Sequence, residues 1–365
     1  CINYFIEYMN QKNGKNSLGI DSCFEEADNP IDLCSTNLLR LFRKHNIESS
    51  AIEKIGRNTY SVHSSTTETT HSTVFDLKNV DEKGVYDSPL IIKSEEFSVV
   101  VEKLRSYFTS KGFIEAHPQN RLSILAACED PFTVATFEYA NKVWPLPQTG
   151  QMWLEYELLK NPSAKGYFCL STSYRHEPNP VKDRHDIIFP LFEFEMHGGM
   201  EELIAMEKEL LEHLGYDTAK FARGKYIDVA NKYDVHELEH EHEEQMYKEE
   251  GGTPTFFLTD FPEHTSPFWN MKRNSETGLA NKVDVILSGQ ETFGSAERET
   301  DKDIMLERFN TISEGGYKKK LFDLFGEKRT MGEMKEYIEF DFFKRSGGGI
   351  GMTRLIRSMK AEGLL

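Results

Sequence analysis

Residues Tyr174 to Met196 read YRHEPNPVKDRHDIIFPLFEFEM, and some 150 residues further on Ser346 to Arg354 read SGGGIGMTR. The first segment asks for two apolar strands joined by a short charged loop. Arg175 and Glu177 sit on one strand, and the paired carboxylates Glu193 and Glu195 on the other. Residues two apart on a strand share a face, so Arg175 and Glu177 point the same way. Arg suits a phosphate oxygen because its planar fork binds in two places and stays charged. Glu177 then accepts from an adenine or amino group, Arg184 and His185 in the loop meet outer phosphates, and Phe189 stacks on a purine. With the distant glycine run and Arg354, these pieces suit a site that makes a nucleoside triphosphate react with a carboxylate.

The chain has 365 residues, room for one large domain plus an appendage or for two domains. Its 43 Lys+Arg against 60 Asp+Glu leave a formal charge of −17. That disfavours a broad nucleic-acid surface, which needs clustered cations, but leaves room for a local basic groove. The five cysteines (Cys1, Cys23, Cys34, Cys128 and Cys169) are odd in number and lack paired metal spacing. They read as reduced thiols of a cytoplasmic protein. No apolar run approaches the roughly 18 residues of a membrane span, so no membrane partner is expected. The first residues lack the basic and apolar regions of a signal peptide. A chain that begins with Cys reads as trimmed from something longer.

Residues 1–90 read as a poorly defined N-terminal extension and residues 91–365 as the catalytic domain. A helix is expected from Asn29 to Ile47, and Ser61 to Thr73 reads as a Ser/Thr-rich loop or mobile edge. The five alternating strands of an OB barrel are not recognisable there. From Ser94, taken as N-cap, a helical stripe places Phe97, Val100, Val101, Leu104 and Phe108 on one face, and Gly112 ends it. Glu201 to Leu214 is an amphipathic helix stopped by Gly215, and Tyr226 to Glu250 a second, charged helical region. FFLTDF, VDVILSG and YFCLSTSYR read as buried strands. Helices beside mostly antiparallel strands give an α+β fold, an antiparallel sheet flanked by helices.

In VDVILSGQETFGSAER, Asp284 and Glu291 flank a strand end, where hard carboxylates at a phosphate site suit Mg²⁺. Gly294 and Ser295 allow close backbone approach, and Arg298 offers a fixed cation behind the pocket. His236, His240 and His242 lack a third ligand on another element and read as a solvated acidic helix. Trp153, beside Gln151, has a claim to touch substrate.

From about Ser94 onward the chain resembles the catalytic domain of class II aminoacyl-tRNA synthetases, most closely the asparaginyl/aspartyl subgroup. Gly112 to Pro118 is similar to the first motif, Tyr174 to Glu195 to the second, and Ser346 to Arg354 to the third. The resemblance implies a homodimer through the first motif. It implies ATP and Mg²⁺ as cofactors, and an amino acid, asparagine or aspartate, as substrate, with tRNA as a partner in protein biosynthesis. By the same resemblance Arg175 holds the α-phosphate and Glu177 the adenine side, while Phe189 and Arg354 sandwich the adenine. His185 or Arg184, with Arg354, meets the outer phosphates beside Gly351. Asp284 and Glu291 take Mg²⁺. Glu129 and the Thr149-Gly150-Gln151 loop hold the substrate ammonium, Arg298 binds its side-chain oxygen, and Ser295 borders it. Leu154 and Glu193 match the asparagine-specific pattern, since a carboxylate welcomes an amide NH₂ and repels a carboxylate.

The chain departs from the family at Thr353, at Ile188 and in lacking a recognisable anticodon-binding barrel. An AMP-forming aspartate–ammonia ligase derived from a synthetase, and a catalytically silent amino-acid or nucleotide-binding paralogue, stand as alternatives.

Overall fold

The computed structural model describes the chain from residue 92 onward except 119–122, 127–129, 177–185 and 250, together with the backbone of three strands between residues 52 and 76. It divides into two compact units, Cys1–Ser88 and Pro89–Leu365. The helix expected from Asn29 to Ile47 lies outside the described residues.

In the first unit, β1 (Ile52–Lys54), β2 (Thr59–Thr66) and β3 (Thr69–Asp76) form an antiparallel sheet in that order. The loop expected at Ser61 to Thr73 is therefore wrong. β2 and β3 pair in unbroken register from Thr59↔Asp76 to Thr66↔Thr69. The segment is dense in Thr, and β-branched residues favour the pleated backbone even where few large apolar side chains accompany them.

The second unit is built on α1 (Ser94–Ser110), β4 (Ile114–Glu115), the hairpin β5 (Thr136–Tyr139) and β6 (Lys142–Pro145), and α2 (Gln151–Lys160). Next come β7 (Gly166–Tyr174), β8 (Ile188–His197), α3 (Met200–Leu214), β9 (Phe221–Lys225), α4 (Tyr226–Lys232) and α5 (His240–Lys248). β10 (Thr255–Phe261), β11 (Ala280–Leu287) and β12 (Gln290–Glu297) lead into three helices, α6 (Lys302–Thr311), α7 (Gly316–Phe325) and α8 (Glu327–Ile338). β13 (Arg345–Gly351) and α9 (Met352–Ala361) close the unit. Eight strands make one sheet in the order β4-β7-β8-β13-β12-β11-β10-β9. Only the outer pairs β4·β7 and β9·β10 are parallel, so the sheet is antiparallel across its centre, as the α+β reading requires.

The expected stripe of α1 is buried at Val100, Val101, Leu104 and Phe108 and packs against Phe192 and Phe194 of β8. Leu203, Leu210 and Leu214 of α3 and Leu355 and Met359 of α9 complete this core behind the sheet. Ser94 is the first helical residue and not the cap; Lys93 holds the cap position without a side-chain hydrogen bond. Gly112 at φ +80° and Gly215 at φ +107° turn the chain out of their helices, a conformation that favours glycine. The single helical region expected from Tyr226 to Glu250 is broken: Asp234 takes φ +54° between α4 and α5. His242 Nδ1 accepts the Glu239 amide at 2.9 Å, capping α5. A second core, with Trp269, Phe309, Tyr317 and Tyr337, joins α6–α8 to α2. Among the described residues no helix is long and apolar enough to cross a membrane.

Candidate active site

Alternation divides the central strands between two faces. On β8, Phe192 and Phe194 enter the core behind the sheet, so Glu193 and Glu195 project forward. On β11, Val283 and Val285 go back, while Lys282 and Asp284 come forward. β12 needs one irregularity to match. Phe293 opposes Val285, but Glu291, not Thr292, opposes Ile286. This one-residue bulge returns Glu291 to the front face, where regular alternation from Gly294 would have sent it back.

The front face carries a cavity of about 460 Å³. Gln151, Arg175, Phe189, Glu193, Glu291, Ser295, Arg298, Gly351 and Arg354, all expected site residues, line it. Arg175 lies just past the end of β7; its amide bonds the Ile187 carbonyl at 2.8 Å, and its guanidinium stands 5.6 Å from the Phe189 ring centre. Arg354, in the first turn of α9, donates to the Glu291 carbonyl at 2.7 Å. Glu129, Glu177, Arg184 and His185 lie outside the described residues.

Asp284 lies across the ladder from Gly294 and is not among the cavity-lining residues. A side chain at Gly294 would sit 3.4 Å from Glu291 Oε1 and 3.7 Å from Asp284 Oδ1, so both carboxylates converge over bare backbone. Asp284 Oδ1 is buried and has no hydrogen-bond partner among the described residues. Two hard oxygen donors, one of them orphaned, beside an open cradle fit a divalent cation whose other ligands come from phosphate and water. Burial pushes the Asp284 carboxyl up to about 7 against the pull of Lys282, with Glu291 adding to the rise.

A second group of residues is already wired together. Arg298 reaches Glu195 at 3.2 Å and Glu155 at 3.6 Å. Gln151 donates to Glu195 at 2.6 Å. Arg345, fully buried, binds Glu155 at 2.7 Å and the Tyr337 hydroxyl at 2.8 Å. Burial alone would raise Glu155, but Arg345 and Arg298 outweigh it and hold that carboxyl below its ordinary range. Burial pushes Glu195 up to about 7, opposed by Arg298. Glu193 accepts from Gly150 N at 2.7 Å, Ser171 Oγ at 2.5 Å and the Thr149 hydroxyl. The Gly150 amide caps α2, so the helix N-terminus favours negative charge on Glu193.

The glycine run is strand β13, packed in the centre of the sheet. A methyl on Gly347 would fall on Glu195 Oε2 and within 2.6 Å of Gln151 Nε2. One on Gly348 would strike Ser295. These two glycines therefore make room for protein groups, and Gly348, Gly349 and Gly351 border the cavity.

Several residues stand elsewhere than the sequence suggested. Ser295 turns its hydroxyl away from the cavity, donating at 2.5 Å to Glu207 on α3, so that its backbone forms the wall. Leu154 is fully buried with Leu158, Tyr167 and Cys169, and acts on the site only through packing. Trp153 is buried and absent from the cavity wall. Glu155, Lys282 and Asn270 line the cavity and were not foreseen. Glu155 follows Gln151 by four residues on one helix and Lys282 precedes Asp284 by two on one strand, so both were readable from spacing. No local signal marks Asn270.

Glu207 carries a prediction. Burial pushes its carboxyl up to about 8 despite the Ser295 hydrogen bond, with Asp284 contributing. An acid whose folded pKa lies above its unfolded value favours the folded state below the unfolded pKa, near 4.5, and loses that advantage as pH rises toward 8. Each unit is about 1.4 kcal/mol. Glu207→Gln is therefore expected to gain melting temperature relative to wild type as pH goes from 5 to 8. Parallel melting curves for the two proteins across that range would refute the ionisation argument.

Comparisons with known proteins agree on one family. The model for class II tRNA synthetases (D, K and N) matches residues 90–362. The chain is 23% identical over 312 residues to an aspartate–tRNA(Asp) ligase of Thermoplasma volcanium, covering 77% of this chain and 66%, just under two thirds, of that protein. Asparaginyl-tRNA synthetase from Pyrococcus horikoshii, complexed with asparaginyl-adenylate, superposes with a TM-score of 0.59 at 17% identity, covering 84% of this chain and 89% of that one. The Entamoeba histolytica asparaginyl-tRNA synthetase gives 0.59 at 16% identity, over 85% and 90%.

Proposed function

The chain belongs to the class II tRNA synthetases of the D, K and N group, and from that premise we propose that it uses ATP to activate asparagine as an aminoacyl-adenylate. The observation that carries this reading is the meeting of Arg175, Arg354, Glu291 and Arg298 on one cavity, with Asp284 close to the lining residue Gly294.

Arg175 would grip the α-phosphate and neutralise charge as the substrate carboxylate oxygen attacks the α-phosphorus. The bond to the β-phosphate oxygen then breaks and pyrophosphate leaves. Phe189 and Arg354 would hold the adenine between them, and Arg354 the outer phosphates as well. Asp284 and Glu291 would hold Mg²⁺, which supplies charge compensation to the phosphates when bound. Such a transfer depends on positioning and electrostatic stabilisation more than on a base.

Glu193 supports asparagine. Its carboxyl is held in place by three donors, and Arg298, on the same cavity, already answers to two carboxylates. A substrate amide adds a donor for Glu193 and no charge; a substrate carboxylate adds a further anion that would share Arg298 with Glu155 and Glu195. A homodimer through α1 and β4 belongs to the same reading; Ile114 on that edge strand is 47% exposed.

Pyrophosphate exchange with asparagine and with aspartate tests the substrate. Exchange with asparagine alone is expected. That result would exclude the ammonia-ligase alternative, in which aspartate's side-chain carboxylate is activated; exchange with aspartate alone would overturn asparagine as the substrate. Arg354→Ala is expected to weaken ATP at least tenfold by calorimetry, about 1.4 kcal/mol.

A further inference from the structure

Lys282 is a cavity-lining cation that the proposed reaction leaves without a task. Its ammonium lies 2.6 Å from Asp284 Oδ2. That is one of the two carboxylates proposed above to hold Mg²⁺.

We infer that Lys282 is a phosphate-binding residue that occupies the cation position on Asp284 until nucleotide and metal arrive. The divalent ion displaces the ammonium from Asp284, and the displaced ammonium turns to the polyphosphate. The inference rests on the ATP reading and deepens it.

Three observations separate this pair from a structural ion pair. In the buried Glu155–Arg345 pair both carboxylate oxygens are answered, by Asn270 on one and by Tyr337 and Arg345 on the other. Asp284, by contrast, keeps its Oδ1 without a partner, aimed toward the Gly294 cradle. The Lys282 ammonium also lies 4.1 Å from the centre of the Phe261 ring, and its side chain remains 23% exposed. An ammonium on a flexible four-carbon stem can swing between two oxygen partners. Finally, Glu291 stands on the same side of the sheet as Asp284. With Lys282 in place the two acids are partly compensated; with a divalent ion between them the lysine becomes surplus charge beside a tetra-anion.

The idea makes two ligands respond in opposite directions. Lys282→Met removes a competitor for Asp284, so Mn²⁺ alone, titrated calorimetrically into the nucleotide-free protein, is expected to bind at least threefold more tightly. The same variant loses a phosphate contact, so ATP in EDTA is expected to bind at least tenfold more weakly than to wild type. Lys282→Arg, which keeps the charge, is expected to retain ATP binding within threefold, and thermal melts establish that each variant is folded.

Unchanged or weaker Mn²⁺ binding by Lys282→Met overturns the inference, because a merely structural lysine would weaken both ligands on removal. So does unchanged ATP affinity. Failure of the underlying ATP reading is distinguishable: it appears in the wild-type protein, as absence of ATP binding with or without Mg²⁺, before any variant is measured.

Discussion

Replacing Arg345 by alanine is expected to cost about 3–5 kcal/mol of folding stability. Its guanidinium is fully buried, contacts Glu155, Tyr337 and the Glu299 carbonyl, and lies 4.8 Å from the centre of the Phe342 ring. Removing it leaves the Glu155 carboxylate inside the protein with only Arg298 as a cation, at 3.6 Å. Burial then reasserts itself and the carboxyl takes up a proton or the helix bearing it shifts. The paired replacement Arg345→Met with Glu155→Met is expected to cost less than Arg345→Ala alone, since a buried pair replaced by apolar groups leaves no orphan charge. Urea unfolding of the three proteins measures both effects. A loss below about 1 kcal/mol for Arg345→Ala would place the network among weak surface-type pairs.

Gly347→Ala is the second large effect. The added methyl has nowhere to go: Glu195 Oε2, the Phe194 carbonyl and Gln151 Nε2 occupy its place. β13 is hydrogen-bonded on both sides, to β8 and β12, so it cannot move without breaking one ladder. A loss above about 3 kcal/mol is expected, at the upper end of overpacking costs, together with disturbance of the Arg298 contact that Glu195 makes. Gly332→Ala is the control. That glycine lies exposed in α8 with nothing within 4 Å of a built Cβ, and alanine there is expected to stabilise by about 0.4–1 kcal/mol. If both substitutions behave alike, the crowding argument at Gly347 is wrong.

Features that repeat along the chain were the legible ones. Phe192 and Phe194 against Glu193 and Glu195, and the stripe of α1, declare their faces because burial follows the period of the element. The gathering of Arg175, Glu291, Arg298 and Arg354 was legible through motifs far apart in the chain. Two kinds of information were hidden. One is backbone choice where side chains are small: β2 and β3 carry Ser and Thr where an apolar pattern would have announced strands. The other is where a polar side chain spends its hydrogen bonds. Ser295 turns to Glu207, and Arg298 is already engaged by two acids. Those outcomes depend on neighbours more than forty residues distant, which local spacing does not encode.

The irregularity at Thr292 has an evolutionary corollary. Because that residue is surplus to the ladder, its loss would leave a regular pairing with Glu291 still opposite Ile286. A related sequence whose gap between acid and glycine is one residue shorter should thus retain a working acid. An alignment that scores such a gap as damage would misjudge it.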